Sequence, residues 1–224
     1  TGSRGMVAGM GEWIAFRTRP FSKAPAIDAV PHAIFVTAMD TNPLAAPCDL
    51  IAKGREADLK AGLEVLVKLS GGKVYFCKAA GSALSAQGVP GVDTEEFSGP
   101  HPSGLAGTHI HLLDPVSRNK TVWTIGLQDL LAVGSLFRTG RLDVGRTVAL
   151  CGPGVKRPRL LRTRLGASIL ELCAGELAEG EHRIVSGSVL SGRKAGDDQI
   201  GFLGRYHAQI SVVVEGRERE FLGW

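Results

Sequence analysis

Ala33-Ile34-Phe35-Val36-Thr37-Ala38 is an unbroken run of apolar, aromatic and β-branched residues, and it stops at the turn-forming Asp40-Thr41-Asn42-Pro43. Six such residues without polar alternation describe a strand buried on both faces, the kind found in parallel sheets under helices. Residues 55–70 then place Leu59, Leu63, Leu66 and Leu69 along one stripe, which predicts an amphipathic helix ended by Gly71-Gly72. Lys73-Val74-Tyr75-Phe76-Cys77 reads as the next strand. Strand, helix, strand in this order is the unit of a parallel sheet.

The pattern extends outward from that unit. Residues 6–31 read as irregular, because Pro20, Pro25 and Pro31 interrupt them. Residues 79–107 are rich in Gly, Ser and Pro, with one short strand at Glu95-Glu96-Phe97. Thr108-His109-Ile110-His111-Leu112 reads as a strand, residues 126–138 as a helix with Leu127, Leu130, Leu131 and Phe137 on one face, and Arg146–Leu150 as a further strand. Gly152-Pro153-Gly154 breaks the alternation, so a domain boundary is expected there. Beyond it, residues 159–164, 182–185 and 209–214 read as strands, with a short helix at 169–174 capped by Ser168. The expected architecture is an α/β domain over residues 1–151, with a mostly parallel sheet covered by helices, and a small α+β, β-grasp-like module over residues 152–224.

Composition narrows the function classes. An apolar fraction of 44 % and a charged fraction of 21 % in 224 residues support a packed core and exclude a disordered chain. The net charge of +4 is spread along the chain, which is too thin for a nucleic-acid-binding face. No run reaches the roughly 20 apolar residues of a membrane span. Cys48, Cys77, Cys151 and Cys173 are far apart in sequence and read as buried free thiols. The first residues, Thr1-Gly2-Ser3-Arg4-Gly5, and the last, Glu220-Phe221-Leu222-Gly223-Trp224, read as cut ends of a longer chain.

Chemistry-bearing residues are sparse. His109 and His111, two apart in an expected strand, share a face that suits either a metal or packing under a helix, and no third ligand is evident. His101 sits at the tip of the Pro-stiffened loop Ser98–Gly104. Arg17, Arg19 and Lys23 surround Pro20-Phe21 and suit an anion. Lys156, Arg157, Arg159, Arg162 and Arg164 put five cations within nine residues, with Arg162 and Arg164 on one strand face. That stripe suits an acidic partner or headgroups, or else guards a solvated edge. Gly71-Gly72-Lys73 and Gly152-Pro153-Gly154 lack the spacing of phosphate loops, and no nucleophile–base arrangement is legible, so no catalytic or metal residue is assigned.

Several stretches together resemble one family. They are Arg17–Lys23, Ala33–Leu44, Glu96–Pro102, Gly107–His111, Arg162–Ala167 and Gly204–His207, and they run in one order and register from about residue 10 to the end. The set resembles the NqrA subunit of the Na⁺-translocating NADH:quinone reductases (NQR), respiratory complexes of bacterial inner membranes. The resemblance implies a peripheral subunit on the cytoplasmic side, with the other subunits as partners, membrane-embedded NqrB above all. It implies a flavoprotein-like domain of the complex I type followed by an SLBB-type module. The whole complex then holds NADH, FMN or FAD, a 2Fe-2S centre and ubiquinone, while this segment holds no cofactor and is not catalytic alone.

The family is in turn similar to the flavin-carrying subunit of complex I and to ferredoxin:NAD⁺ reductase subunits. Those relatives place a glycine-rich loop of the kind G-x-G-G-A-G-F-P-T ahead of the strand starting here at Ala33. Here the stretch reads Ala15-Phe16-Arg17-Thr18-Arg19-Pro20-Phe21, so two arginines and a phenylalanine stand where backbone would approach a phosphate. The expectation is a flavoprotein scaffold that has lost its cofactor; the alternative is a flavin- or nicotinamide-binding redox subunit. For a quinone, Phe21, His32, His101 and His111 are of suitable type, though no spacing selects them.

Overall fold

The computed structural model describes residues 2–196 and 200–217. The expected cut at Glu220–Trp224 lies outside the described residues. The chain forms two compact units: one of Thr1–Asn42 with Pro47–Val144, the other of Pro43–Ala46 with the chain from Gly145 onward.

In the first unit, helix α1 (Gly2–Gly9) and a 3-10 turn (Glu12–Ala15) lead into strand β1 (Arg17–Arg19). There follow β2 (Ala33–Ala38), α2 (Cys48–Ala52), α3 (Glu56–Leu69), β3 (Lys73–Ala79) and β4 (Val92–Phe97). Helix α4 (Ala106–Leu113), β5 (Val122–Gly126) and α5 (Leu127–Thr139) complete it. The sheet order is β1-β5-β2-β3-β4, with β2 to β5 parallel and β1 antiparallel at the edge. This is the expected helix-covered parallel sheet.

Burial explains the layers. Ile34, Val36, Val74, Phe76, Trp123 and Ile125 face α3 and α5, together with Leu59, Leu63, Leu66, Leu130 and Leu131. Ala33, Phe35, Cys77 and Val122 face the other way, toward Ile110 of α4. The edge strand β1 is stabilised from its first residues by Phe16, which with Trp13 and Trp123 forms an aromatic group with centroids 5.4–5.6 Å apart.

Two expectations fail here. Residues 106–113 are helix, not strand: His109 and Ile110 point inward and His111 is exposed, so the two histidines do not share a face. Residues 6–31 are irregular only from Pro20 onward, since α1, the 3-10 turn and β1 occupy the stretch up to Arg19.

The second unit contains β6 (Gly145–Cys151), β7 (Arg159–Arg164), α6 (Ile169–Cys173), β8 (His182–Ser186), β9 (Arg193–Lys194) and β10 (Gln209–Val214). Its sheet order is β7-β6-β10-β8-β9, two hairpins flanking a last strand that runs parallel to the first, as in a β-grasp module. Val148, Leu150, Ile169, Ile210 and Val212 form its core. Ser168 caps α6 by accepting from the Glu171 N–H.

The boundary expected at residue 152 is displaced. Strand β6 pairs with β7 and β10, so it belongs to the second unit, and the division falls between Val144 and Gly145. Gly152 (φ 105°) lies in the β6–β7 turn, where a Cβ would come within 2.2 Å of the Val212 carbonyl oxygen. The glycine there serves a close backbone approach, not a linker.

Candidate functional site

In an open parallel sheet, ligands gather beyond the carboxyl ends of the strands, where loops diverge and backbone groups are free. Beyond Ala38, Ala79 and Phe97, the last residues of β2, β3 and β4, lies a cavity of about 320 Å³. Its floor is apolar, from Ala38, Met39, Pro47, Ala79, Ala80 and Phe97, and its polar rim is Asp40, Thr41, Asp49, Ser98 and Gly99, with Cys48 among them.

The rim is built by short side-chain-to-backbone bonds. The Asp40 carboxylate accepts from the Asn42 N–H at 2.9 Å and from its side-chain amide at 2.7 Å. Asp49, in the first turn of α2, accepts from the Ser82 hydroxyl at 2.9 Å and from the Ala83 N–H at 2.8 Å. On the opposite side the Ser98–Gly104 loop closes over Thr41. The Gly104 N–H donates to Thr41 Oγ1 at 3.0 Å, and His101 Nδ1 lies 3.2 Å from the same oxygen. A Cβ on Gly104 would meet the Thr41 backbone nitrogen at 2.7 Å, so only glycine permits this closure. Behind the loop His109 is fully buried against Phe97, ring centroids 4.2 Å apart. Its Nε2 lies 2.8 Å from the Ser103 carbonyl oxygen, which makes it the protonated nitrogen, and Nδ1 is left without a partner.

Acceptors dominate the cavity, so it favours donors in a ligand. Burial, with Asp40 and Asp49 adding to it, pushes the Cys48 thiol up to about 12, so it stays protonated and is no nucleophile at neutral pH. A flavin or nicotinamide phosphate would meet two carboxylates here and no lining cation. The residues present therefore do not fit such a group, whereas a ring bearing hydroxyl or amine donors matches the rim. Among the described residues, no three His, Cys, Asp or Glu gather closely enough to hold a metal ion.

The residues singled out from the sequence fall in three places. His101 does not line the cavity but stands beside it, against Thr41 of its rim. Arg17, Arg19, Phe21 and Lys23 lie elsewhere: β1 runs antiparallel to β5, with Arg19 opposite Val122, so the hairpin that follows lies where β5 begins. Arg17 and Arg19 share one face of β1. Lys23 is held opposite Thr18 by backbone bonding, and Phe21 at the tip is 73 % exposed. His32 is also at that end, 3.3 Å from Asp114, and His111 is exposed on α4. The four quinone-type side chains thus do not converge on one slot. Asp40, Asp49, Cys48 and Phe97 carry the cavity; the signal that points to them is position, each at or just past the end of a parallel strand or opening the next helix.

The third place is β7, the edge strand of the second sheet. Leu161 and Thr163 are half-buried, while Arg162 and Arg164 alternate with them on the exposed face. Arg159 is neutralised by Glu176 through two bonds of 2.6 and 2.9 Å, and Lys156 reaches the Gly175 carbonyl at 3.4 Å. Arg157 is exposed in the preceding turn.

Comparison with known proteins agrees with this two-part build. Residues 4–142 match the family model described as the NqrA second alpha/beta domain, and residues 147–197 match the NQRA C-terminal domain. The NqrA subunit of the Na⁺-translocating NADH-quinone reductase of Pasteurella multocida is 56 % identical over 214 residues, covering 96 % of this chain and 48 % of that protein. Its counterpart in Saccharophagus degradans is 57 % identical over 212 residues, covering 95 % and 47 %. The chain thus spans about half the length of these relatives. Among solved structures, an NAD⁺-reducing [NiFe]-hydrogenase chain shares the fold, with a TM-score of 0.64 at 14 % identity over 95 % of this chain and 46 % of that one. The chain belongs to the NqrA family, and carries that family's second α/β domain followed by its C-terminal, SLBB-type domain.

Proposed function

We propose that this chain is the central part of a peripheral subunit of a Na⁺-translocating NADH:quinone reductase, held on the cytoplasmic side of a bacterial inner membrane by the membrane-embedded subunits, NqrB in particular. The observation that carries the reading is the 56 % identity to the Pasteurella multocida NqrA, continuous over 214 residues and across both units. The segment supports electron transfer from NADH to ubiquinone and Na⁺ export by assembly, and by offering the acceptor-rimmed cavity to the hydroxyl-bearing ring of a reduced quinone. It is not the catalyst by itself. No helix among the described residues is long and apolar enough to cross a membrane, so attachment depends on surface contacts. The exposed Arg162 and Arg164, with Lys156 and Arg157 beside them, supply one such contact.

The rival reading, a flavin- or nicotinamide-binding redox subunit, is disfavoured by Arg17, Arg19 and Phe21 in the loop that flavin-carrying relatives leave to glycine, and by Asp40 and Asp49, which would repel a cofactor phosphate in the cavity. The test is complementation. In cells lacking their own NqrA, the full-length protein containing this segment restores Na⁺-dependent NADH:quinone reductase activity to membranes. The isolated segment oxidises no NADH. Membranes that stay inactive with the full-length protein, or NADH oxidation by the segment alone, overturn the proposal.

A further inference from the structure

The loop between β2 and α2 builds two sides of the cavity and is fastened at its middle by a residue far along the chain. Asp40 and Thr41 enter the loop, Cys48 and Asp49 follow it, and all four line the cavity. Between them, Pro43–Ala46 packs as part of the second unit. There the side-chain amide of Gln209, the first residue of β10, donates to the Pro43 carbonyl at 3.1 Å. Gln209 is 4 % exposed. Its amide also donates to Ser211 Oγ at 3.0 Å, and Ser211 passes its own hydrogen to the Gly187 carbonyl at 2.9 Å. Pairing with Ala149 of β6, and acceptance from the Gly187 N–H at 2.8 Å, fix the Gln209 backbone. Among the described residues, the Gln209 amide makes the one hydrogen bond to residues 43–46, whose other anchor is the buried Ala46.

Strain sits directly beside that bond. Leu44 has φ 61°, in the left-handed region that residues with a side chain resist. Its side chain is 64 % exposed, so packing of the side chain does not impose the conformation. A strained residue persists where its surroundings over-determine it. Here the constraint falls on the Pro43 carbonyl, which belongs to the peptide group leading into Leu44. We infer that Gln209 is a positioning residue for the cavity rim. By gripping the Pro43 carbonyl it holds Leu44 in its strained turn, and so keeps Thr41 on one side and Asp49 on the other in their places. Released, the loop relaxes at Leu44, and the two bonds that close the rim loosen: Gly104 N–H to Thr41 Oγ1, and Ala83 N–H to the Asp49 carboxylate. The functional sense of this role rests on the quinone-type ligand proposed for the cavity; its physical basis does not.

Hydrogen exchange of the backbone amides of the 224-residue chain, followed by NMR, reads the rim directly. The Gly104 and Ala83 N–H groups are the reporters. In Gln209→Met, which removes the donor at similar volume, both are expected to exchange about two- to tenfold faster, the factor that one lost hydrogen bond carries. Ser211→Ala is the control. It breaks the neighbouring bond to Gly187 and leaves the Pro43 carbonyl its donor, so it should keep both reporters near the parent rate. Asparagine tolerates the left-handed region, so Leu44→Asn added to Gln209→Met is expected to recover part of the protection. Should Gln209→Met not fold, Gln209→Asn keeps the amide but withdraws it by one methylene, and is expected to give the same acceleration. Parent exchange rates in the Gln209 variants, equal acceleration by Ser211→Ala, or no recovery with Leu44→Asn overturns the role of Gln209. Calorimetry with a tailless ubiquinol, kept reduced, tests the ligand separately. No binding to the parent counts against the proposed ligand, and the exchange result still decides the role of Gln209. Where the parent binds, Gln209→Met should bind about two- to tenfold more weakly, and equal affinity overturns the role.

Discussion

Gly134 of α5 lies against the backbone of Asp58 in α3: a Cβ on it would stand 1.8 Å from the Asp58 carbonyl oxygen and 2.8 Å from the Gly62 nitrogen. Gly62 answers from the other helix, where a Cβ would meet the Leu130 carbonyl oxygen at 2.6 Å. Two backbones cannot give way as a side chain would, so the helices must separate to admit a methyl group. Gly134→Ala is expected to destabilise the first unit by about 1–3 kcal/mol, although alanine is the better helix former. Urea unfolding of the variant checks this, and an unchanged midpoint counts against the close approach.

The same helix pair is joined by a shared carboxylate. Asp58 is buried and accepts from Arg55 Nε at 3.0 Å and from Arg138, while Arg55 also donates to Asp143 at 2.6 Å. Asp58→Ala leaves two cations facing each other beneath α5 and is expected to cost on the order of 3 kcal/mol. Arg138→Ala removes a half-exposed partner whose acceptor keeps Arg55, and is expected to cost about 1 kcal/mol or less. Equal losses in the two variants, measured by denaturant titration, would show that burial does not set the asymmetry.

These features explain what the sequence makes legible. Ala33–Ala38 and the leucine stripe of 56–69 are decided by local pattern, because the strand is buried on both faces and the helix buries its leucines on one. Thr108–Leu112 is different. Five residues with apolar positions two apart fit a strand, yet the eight-residue helix buries His109 and Ile110 together, which only the longer window reveals. Arg17–Arg19 carries no strand signal of its own; it is a strand because β5 is there to pair with it. The boundary is misplaced because Gly152-Pro153-Gly154 has the composition of a linker and the geometry of a turn within one sheet. The cavity residues escape for a related reason: Asp40 and Asp49 become neighbours of one cavity only through the topology.

Two histidines make stability fall on the acid side. His109 is kept below the ordinary imidazole value by burial, partly opposed by its Ser103 bond, and His207 by burial and by Arg193. Folding lowers their proton affinity, so their stabilising contribution is complete above the unfolded value near 6.5. It is lost as pH falls through the lowered folded values, because the unfolded chain binds the proton first. The unfolding midpoint should therefore drop between about pH 7 and pH 5. His109→Gln should flatten part of that slope and His207→Gln another part. A slope identical in parent and both variants removes the histidines as its cause.

Flavin retention tests the chemistry of the cavity. With Asp40 and Asp49 on the rim, FMN added in excess should not co-elute with the chain on gel filtration. Asp40→Asn with Asp49→Asn removes both charges, and should be the variant that gains weak affinity if repulsion is the obstacle. Near-stoichiometric flavin on the parent chain would contradict the reading of the carboxylates.

The exposed arginines of β7 give the last test, and their pairing tells which of them matter. Arg159 is already tied to Glu176, whose own proton affinity that bond lowers, so reversing Arg159 would break an internal contact before it touched a partner. Arg162 and Arg164 have no ion pair among the described residues and stand exposed on one face of an edge strand. Like charges there repel one another, and an acidic partner surface would relieve them. Arg162→Glu with Arg164→Glu should leave the unfolding midpoint within about 0.5 kcal/mol of the parent, as surface changes do. In the full-length protein the same pair should reduce co-purification with the membrane subunits. The deficit should be largest at low salt, where charges act beyond ~10 Å, and should shrink as salt screens them. Arg159→Gln serves as the control, because it loses a cation without reversing the exposed face. If the double variant assembles as the parent does at low ionic strength, the arginines only guard an open sheet edge.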